Sequence, residues 1–325
     1  MTQLNRRQFG SFAAAAATAT LTRSLWAREV AAQPVSGRFY IALIADTHII
    51  DDFYVKGSEN GVEDNASILV TTPRLTAARD FINSLSPAIE QVFVLGDFFH
   101  NYPSVDYNFY FKNTTRLDNA KAIVDGFHMP VHIGFGNHDY DVHRVPREMS
   151  HRLFKAKFNT SPYSSLDYKG CRFIHLNNFL GSTQDNKSPE FNPGVGSLGE
   201  EQLHWFEAQL AEHKPTFVFV HYPLMSIRDT EFSNYGLHPL LRKYQDTIRL
   251  VVTGHLHKWI DLAHTYGPQH YIMASTRYDP NATMLLEIDP ASGSWRFLNA
   301  DLVEWSTHFS KPYRAVDRNA PQPGY

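Results

Sequence analysis

The sequence predicts an α/β fold, and three observations carry that prediction. Short, nearly continuous apolar runs recur along the chain, as expected of strands buried on both faces. Amphipathic stretches with helical spacing lie between them. Five of the runs end abruptly in small polar clusters, the pattern left when strands deliver side chains to one edge of a sheet.

Taken in order, the first strand is predicted at Arg38–Ile44 and ends in Ala45, Asp46, Thr47 and His48. Residues 49–72 are polar and Gly-containing and read as a long loop able to overhang a site. Thr72-Pro73 opens a helix whose apolar spacing runs Leu75, Ala78, Phe81, Ile82 and Leu85. A second strand, Gln91–Leu95, feeds Gly96-Asp97. The following stretch, Phe98–Phe111, is rich in aromatic residues and suits either a cleft wall or a cover packed over the sheet. A helix near Leu117–Phe127 precedes the run Val131–Phe135, which ends in Gly136-Asn137-His138-Asp139.

Further on, Tyr140–Phe158 carries His143, Arg144, Arg147, His151 and Arg152 on loop and helix, best read as a solvated basic face. Tyr163–Tyr168 and Cys171–Leu176 form a hairpin about Lys169-Gly170. Residues 180–199 are a Gly/Ser/Asn/Pro loop, followed by an amphipathic helix over Glu200–His213. Strands at Phe217–Val220 and Leu250–Thr253 end in His221 and in Gly254-His255-Leu256-His257, with loop and helix between them at Tyr235–Tyr244. Last come strands at His270–Ala274, Ala282–Ile288 and Ser294–Leu298, and a tail from Lys311 without periodicity.

Composition narrows the chemistry. Of 325 residues, 43% are apolar, ample for a core. Thirty Lys and Arg against 33 Asp and Glu leave a formal charge of −3, which gives no general drive toward nucleic acid or anionic membrane. Cys171 is the only cysteine, so a thiolate zinc cluster is excluded and metal binding must use His, Asp and Asn. The chain has 17 histidines, and His48, His138, His221, His255 and His257 all fall in the terminal clusters.

Those clusters are poor core material, since each unpaired buried polar group costs roughly 1–3 kcal/mol. The pairs Asp46-x-His48 and His255-x-His257 have a spacing that points both members the same way on extended strand ends. With Asp97, Asn137 and His221 they make seven oxygen and imidazole donors. That set exceeds one tetrahedral ion and suits two five- or six-coordinate divalent ions sharing a carboxylate. Gly96, Gly136 and Gly254 let the backbone turn tightly beside them.

In order and spacing, Asp46-x-His48, Gly96-Asp97, Gly136-Asn137-His138-Asp139, His221 and Gly254-His255-x-His257 resemble the complete motif set of the calcineurin-like metallophosphoesterase superfamily, over roughly residues 44–257. The resemblance implies a four-layer α/β/β/α sandwich of two mixed sheets and a dinuclear centre. It implies that Asp46, His48 and His257 hold one ion, that Asn137, His221 and His255 hold the other, and that Asp97 bridges them. A hydroxide between the ions is implied to attack phosphorus in line, with His138 as acid and Asp139 orienting it. Purple acid phosphatases carry a tyrosine three residues after the Gly-Asp carboxylate; here that position is His100, with Tyr102 out of register. The pattern is closer to bacterial class III cyclic-nucleotide phosphodiesterases and glycerophosphodiesterases. The ions are then Mn, Fe, Zn or Co, the substrate a small phosphate ester, and diesters come before nucleotide or sugar monoesters.

Substrate choice is expected in loops 49–72, 98–115, 140–152, 180–199 and 222–236, where Arg144, Arg147 and Arg228 are candidate contacts for a second phosphate charge. Arg6-Arg7, Phe9 and the Ala-rich run that follows resemble a twin-arginine export signal, with small residues for cleavage at Ala27 and Ala32. That run is too short for a stable membrane span. The expected organisation is a signal over residues 1–32, a metallophosphoesterase domain over 33–310 and a loose tail over 311–325. The export machinery would be a partner, and the destination the periplasm or the exterior.

Overall fold

The structure, a computed structural model, describes residues 37–141 and 144–306. The expected signal segment, the tail from Lys311, and Val142 and His143 lie outside the described residues. Strand β1 (Phe39–Ile44) is followed by helices α1 (Val62–Ile68) and α2 (Thr71–Asn83), then β2 (Gln91–Val94). Helices α3 (Phe109–Lys112) and α4 (Arg116–Val124) lead to β3 (Val131–Ile133). Next come α5 (Asn137–Tyr140) and α6 (Arg147–Phe158), and the hairpin of β4 (Ser164–Tyr168) and β5 (Cys171–His175). Helix α7 (Glu200–Leu210), β6 (Thr216–Phe219), α8 (Leu237–Lys243) and β7 (Ile248–Thr253) continue the alternation. The described chain closes with β8 (Ile260–Asp261), β9 (His270–Ile272), β10 (Thr283–Ile288) and β11 (Trp295–Phe297).

Two mixed sheets result. One has the order β11-β10-β1-β2-β3, the other β4-β5-β6-β7-β9-β8. Strands β1, β2 and β3 run parallel, as do β5, β6, β7 and β9. The parallel strands thus present their carboxyl ends to the loops that carry the polar clusters.

Alternation within the strands makes the layers. Phe39, Ile41 and Leu43 of β1 pack with Phe93, Phe173, Phe217, Phe219, Leu250, Met284 and Leu286, so one face of each sheet meets the other. Phe93 bridges them, with ring centroids 5.2 Å from Phe173 and 4.9 Å from Phe219. The alternate residues Tyr40, Ala42 and Ile44 join Leu75 and Ile82 of α2 and Leu117 of α4. Val218 and Val251 likewise meet Leu203 and Phe206 of α7 and Leu240 of α8. Helices therefore cover both outer faces, giving the helix–sheet–sheet–helix layering. Burying each large apolar side chain contributes about 1.5–3 kcal/mol. Lys169 and Gly170 both take positive φ, 46° and 81°, as a two-residue hairpin turn requires.

One segment differs from expectation, and another falls to one of its two expected alternatives. The 49–72 loop contains α1, and α2 begins at Thr71 within it. Only Ser67 and Ile68 of α1 are buried, too few to leave a helical period in the sequence, while Glu63 and Asp64 suit its first turn. In the aromatic stretch 98–111, Phe98, Phe99, Tyr102 and Tyr110 are fully buried and belong to the core, whereas Phe111 is exposed.

Candidate metal centre

The polar ends of β1, β2, β3, β6 and β7 come together. Ligand-capable atoms of Asp46, His48, Asp97 and His257 lie within 4.8 Å of one another, and so do those of Asp97, His221 and His255. Asp97 belongs to both groups. Asn137, the first residue of α5, adjoins the second group, with Oδ1 3.1 Å from His221 Nε2. All seven donors named from the sequence are thus at one site.

The backbone reaches this site differently from expectation. Asp46, His48, Asp97, His255 and His257 have φ of 54°, 46°, 48°, 71° and 56°. They are left-handed residues in the turns after the strands, and the side chains converge through those turns and not through extended alternation. Each such residue costs on the order of 1–3 kcal/mol and persists only when its surroundings over-determine it. Here they do. The His48 amide donates to Asp97 O at 2.9 Å, the Asp46 amide to Gly96 O at 3.1 Å, and the His255 amide to both Asp46 oxygens at 3.1 Å. Gly136 is extended, with φ −117°, so it serves space and not the turn: a Cβ there would collide with the Asp97 amide and carboxylate.

The electrostatics call for cations. Asp46, His48, Asp97 and His221 are almost wholly buried. His48 Nε2 and His257 Nε2 face each other at 3.4 Å, and Asp97 Oδ2 stands 3.2 Å from His221 Nε2 and 3.7 Å from His48 Nε2. His221 Nδ1 lies 3.0 Å from the Leu95 carbonyl, which places the proton of a neutral ring on Nδ1 and leaves the Nε2 lone pair toward Asp97 and Asn137. Burial opposes a charge on His221, but Asp97, then Asp46 and the Leu95 carbonyl, raise it to about 9, so the pocket favours positive charge at this point. Burial opposes the charge of Asp97 too, yet His221, His138 and His48 hold its carboxyl well below the usual range. Burial lowers His48, and lowers His255 to about 4, keeping both rings in the neutral, ligand-competent form. A mixed carboxylate, amide and imidazole set of this kind fits divalent Mn, Fe, Zn or Co.

His138 sits beside the cluster, its ring centroid 4.7 Å from that of His48 and 4.6 Å from His100. Its amide donates to Asp97 Oδ1 at 2.8 Å. The expectation that Asp139 orients its ring is corrected here. Asp139 is fully buried, and its carboxylate accepts from the amides of Gly136 at 2.8 Å, Phe98 at 3.0 Å and Phe99 at 3.2 Å. It ties the two motif loops together, since Gly136 precedes α5 while Phe98 and Phe99 follow β2. Burial and the charge of Asp97 push the Asp139 carboxyl up, against the pull of the amides. The partner of the His138 ring is Asn101, whose Oδ1 lies 2.8 Å from Nδ1.

The three arginines are placed as follows. Arg147 donates to the carbonyls of Leu180 and Gln184, each at 3.3 Å, and pins the 180–184 loop. Arg228 pairs with Glu190 at 2.8 Å. Arg144 is half exposed, 3.7 Å from Asp141. Arg144, Arg147, Tyr140, Phe179 and Lys187 line a cavity of about 510 Å³ that joins two of the expected specificity loops. Sequence reading missed Asn101, Glu59 and Arg116. Arg116 is buried, paired with Asp51 at 2.8 Å, and donates to the carbonyls of His100 and Asn101. Its only signal was a charged residue beside the apolar face of a helix.

A family model described as calcineurin-like phosphoesterase matches residues 39–259, more than half of the chain. No protein of curated function matches. Among solved structures, a dimetal phosphatase from Danio rerio is similar at 18% identity and a TM-score of 0.53, over 76% of this chain and 92% of that one. At that identity the likeness shows the fold. The calcineurin-like phosphoesterase YfkN from Bacillus subtilis aligns at 14% identity and a TM-score of 0.48, over 80% of this chain and 88% of that one.

Proposed function

We propose that this chain, which belongs to the calcineurin-like phosphoesterase family, hydrolyses small phosphoric diesters at a centre of two divalent ions. The observation that carries the reading is the membership of Asp97 in both ligand groups. Asp46, His48 and His257 would hold one ion, Asn137, His221 and His255 the other, and Asp97 both. When bound, such ions acidify a water molecule and polarise phosphoryl oxygens.

The chain's own residues supply the rest. Buried carboxylates and oriented imidazoles fix the donors before substrate arrives, so little reorganisation remains for the reaction. Asn101 accepts the Nδ1 proton of His138, leaving Nε2 to pass a proton to the departing alkoxide. Burial lowers His138 to about 4, with Asp97 pulling the other way. The negative charge of an incoming ester adds to the pull of Asp97, so His138 gains its proton in the substrate complex.

Diesters are favoured over monoesters by the resemblance of the motifs and by the engagement of Arg147 and Arg228 elsewhere. Neither guanidinium is uncommitted for a second phosphate charge. The test compares bis(p-nitrophenyl) phosphate with p-nitrophenyl phosphate on metal-stripped protein reloaded with Mn²⁺. Faster diester turnover is expected; faster monoester turnover would move the substrate class to nucleotides and sugar phosphates. Silence on both esters with two ions bound would favour a non-catalytic metal-binding protein.

Export by the twin-arginine route to the periplasm or exterior is proposed from Arg6-Arg7 and the Ala-rich run alone. Retention of an Arg6→Lys, Arg7→Lys double variant in the cytoplasm would support it, and unaltered export would refute it.

A further inference from the structure

We infer that Glu59 and His100 form a relay that positions His48 as a metal ligand, and so set the affinity of one of the two ion sites selectively. The inference rests on the dinuclear reading above. His48 Nδ1, the nitrogen turned away from Asp97, lies 3.2 Å from His100 Nδ1. The other nitrogen of that ring, His100 Nε2, lies 3.2 Å from Glu59 Oε1.

Proton counting fixes the direction. A carboxylate only accepts, so the proton of a neutral His100 sits on Nε2, beside Glu59. His100 Nδ1 is then an acceptor and takes the proton of His48 Nδ1. That leaves His48 Nε2 with its lone pair, the atom that faces Asp97 and His257. The opposite arrangement would put a proton on His48 Nε2 and abolish ligation. The relay therefore selects the ligating tautomer of His48, as outer carboxylates do for metal-bound histidines elsewhere. Here it is one imidazole longer.

The anchor at the far end is built: the Glu59 side chain is partly buried and Arg277, which holds it, is fully so. Arg277 donates to Glu59 Oε2 at 2.7 Å and is itself held by Ser67 Oγ at 3.0 Å and the Asp64 carbonyl at 3.0 Å. Tyr54 donates its hydroxyl to Glu59 Oε1 at 3.0 Å. His100 is 7% exposed, its ring is stacked on that of His138, and its carbonyl is held by Arg116. Helix α1 and the preceding loop thereby acquire a task at the site. No comparable relay reaches His221, whose Nδ1 meets the Leu95 carbonyl directly.

The test is titration of the metal-stripped protein with Mn²⁺ by calorimetry, for wild type, His100→Phe and Glu59→Gln. Phe keeps a ring against His138 and removes both nitrogens. Wild type should take two equivalents. Each variant should lose about 10–100-fold in affinity at one equivalent and keep the other, the size seen when outer-shell partners of metal ligands are removed. The melting temperature of metal-stripped His100→Phe should stay near that of wild type, which separates the effect from misfolding. Unchanged affinities, or equal weakening of both equivalents, would overturn the relay while leaving the dinuclear reading intact. A wild type that takes fewer than two equivalents would overturn both.

Discussion

Between the two sheets and at their carboxyl ends, the same strands follow opposite rules. The interior is apolar and regular, with Phe39, Ile41, Phe93, Phe173 and Phe219 interlocked and wholly buried. A few residues further on, Asp46, Asp97 and Asp139 are just as buried, and the backbone turns left-handed at five of the donor positions. The first region stabilises the fold. The second holds like and unlike charges in a fixed array at the expense of stability, and that array is what binding of cations would offset. Burial alone therefore says little about a residue's task here; its partners decide.

This contrast can be broken by substitution. The largest effect is expected for Asp97→Ala, which should lose both ions and bring hydrolysis down to that of the metal-free protein. Its melting temperature in chelator should fall as well, since His221 and the His138 amide lose their buried partner. Metal content and thermal melts check this, and a variant that retained two ions would show that Asp97 is not shared.

Phe93→Ala should instead keep the metal, costing about 3–5 kcal/mol of stability by denaturant unfolding while still binding two equivalents of Mn²⁺. Loss of metal at full stability would contradict the separation of the two regions. His138→Ala should keep both ions yet slow turnover of a poor-leaving-group ester by about 10²–10⁴-fold, with a smaller loss on a p-nitrophenyl ester that needs little proton donation. Equal losses on both esters would remove the acid role. The smallest effect is expected for Arg228→Ala: the pair with Glu190 lies at the surface, so the melting temperature should hardly change, and kcat/KM should hold. A selective fall in monoester turnover would return Arg228 to the substrate site.

The same contrast explains what the sequence disclosed. Strands such as β1 and β10 announce themselves through unbroken apolar runs, and α2 and α7 through their spacing. The seven donors were legible because a dinuclear centre needs particular residue types just after strands, in an order that topology fixes. The supporting residues were not. Asn101, Glu59 and Arg277 act singly, from loops or from positions distant in the chain, and hydrogen bonds between such positions leave no period. His100 was noted only for not being a tyrosine. Asp139 was expected to orient His138, yet its carboxylate turns to three amides, a choice made by the depth of burial of the loops and invisible in a motif.

The most direct test of the central claim is a crystal structure of the Mn-loaded protein with data collected at the manganese edge. Two anomalous peaks are predicted, one among Asp46, His48 and His257, the other among Asn137, His221 and His255, both in contact with the Asp97 carboxylate. A single peak, or two peaks of which only one touches Asp97, would contradict the account.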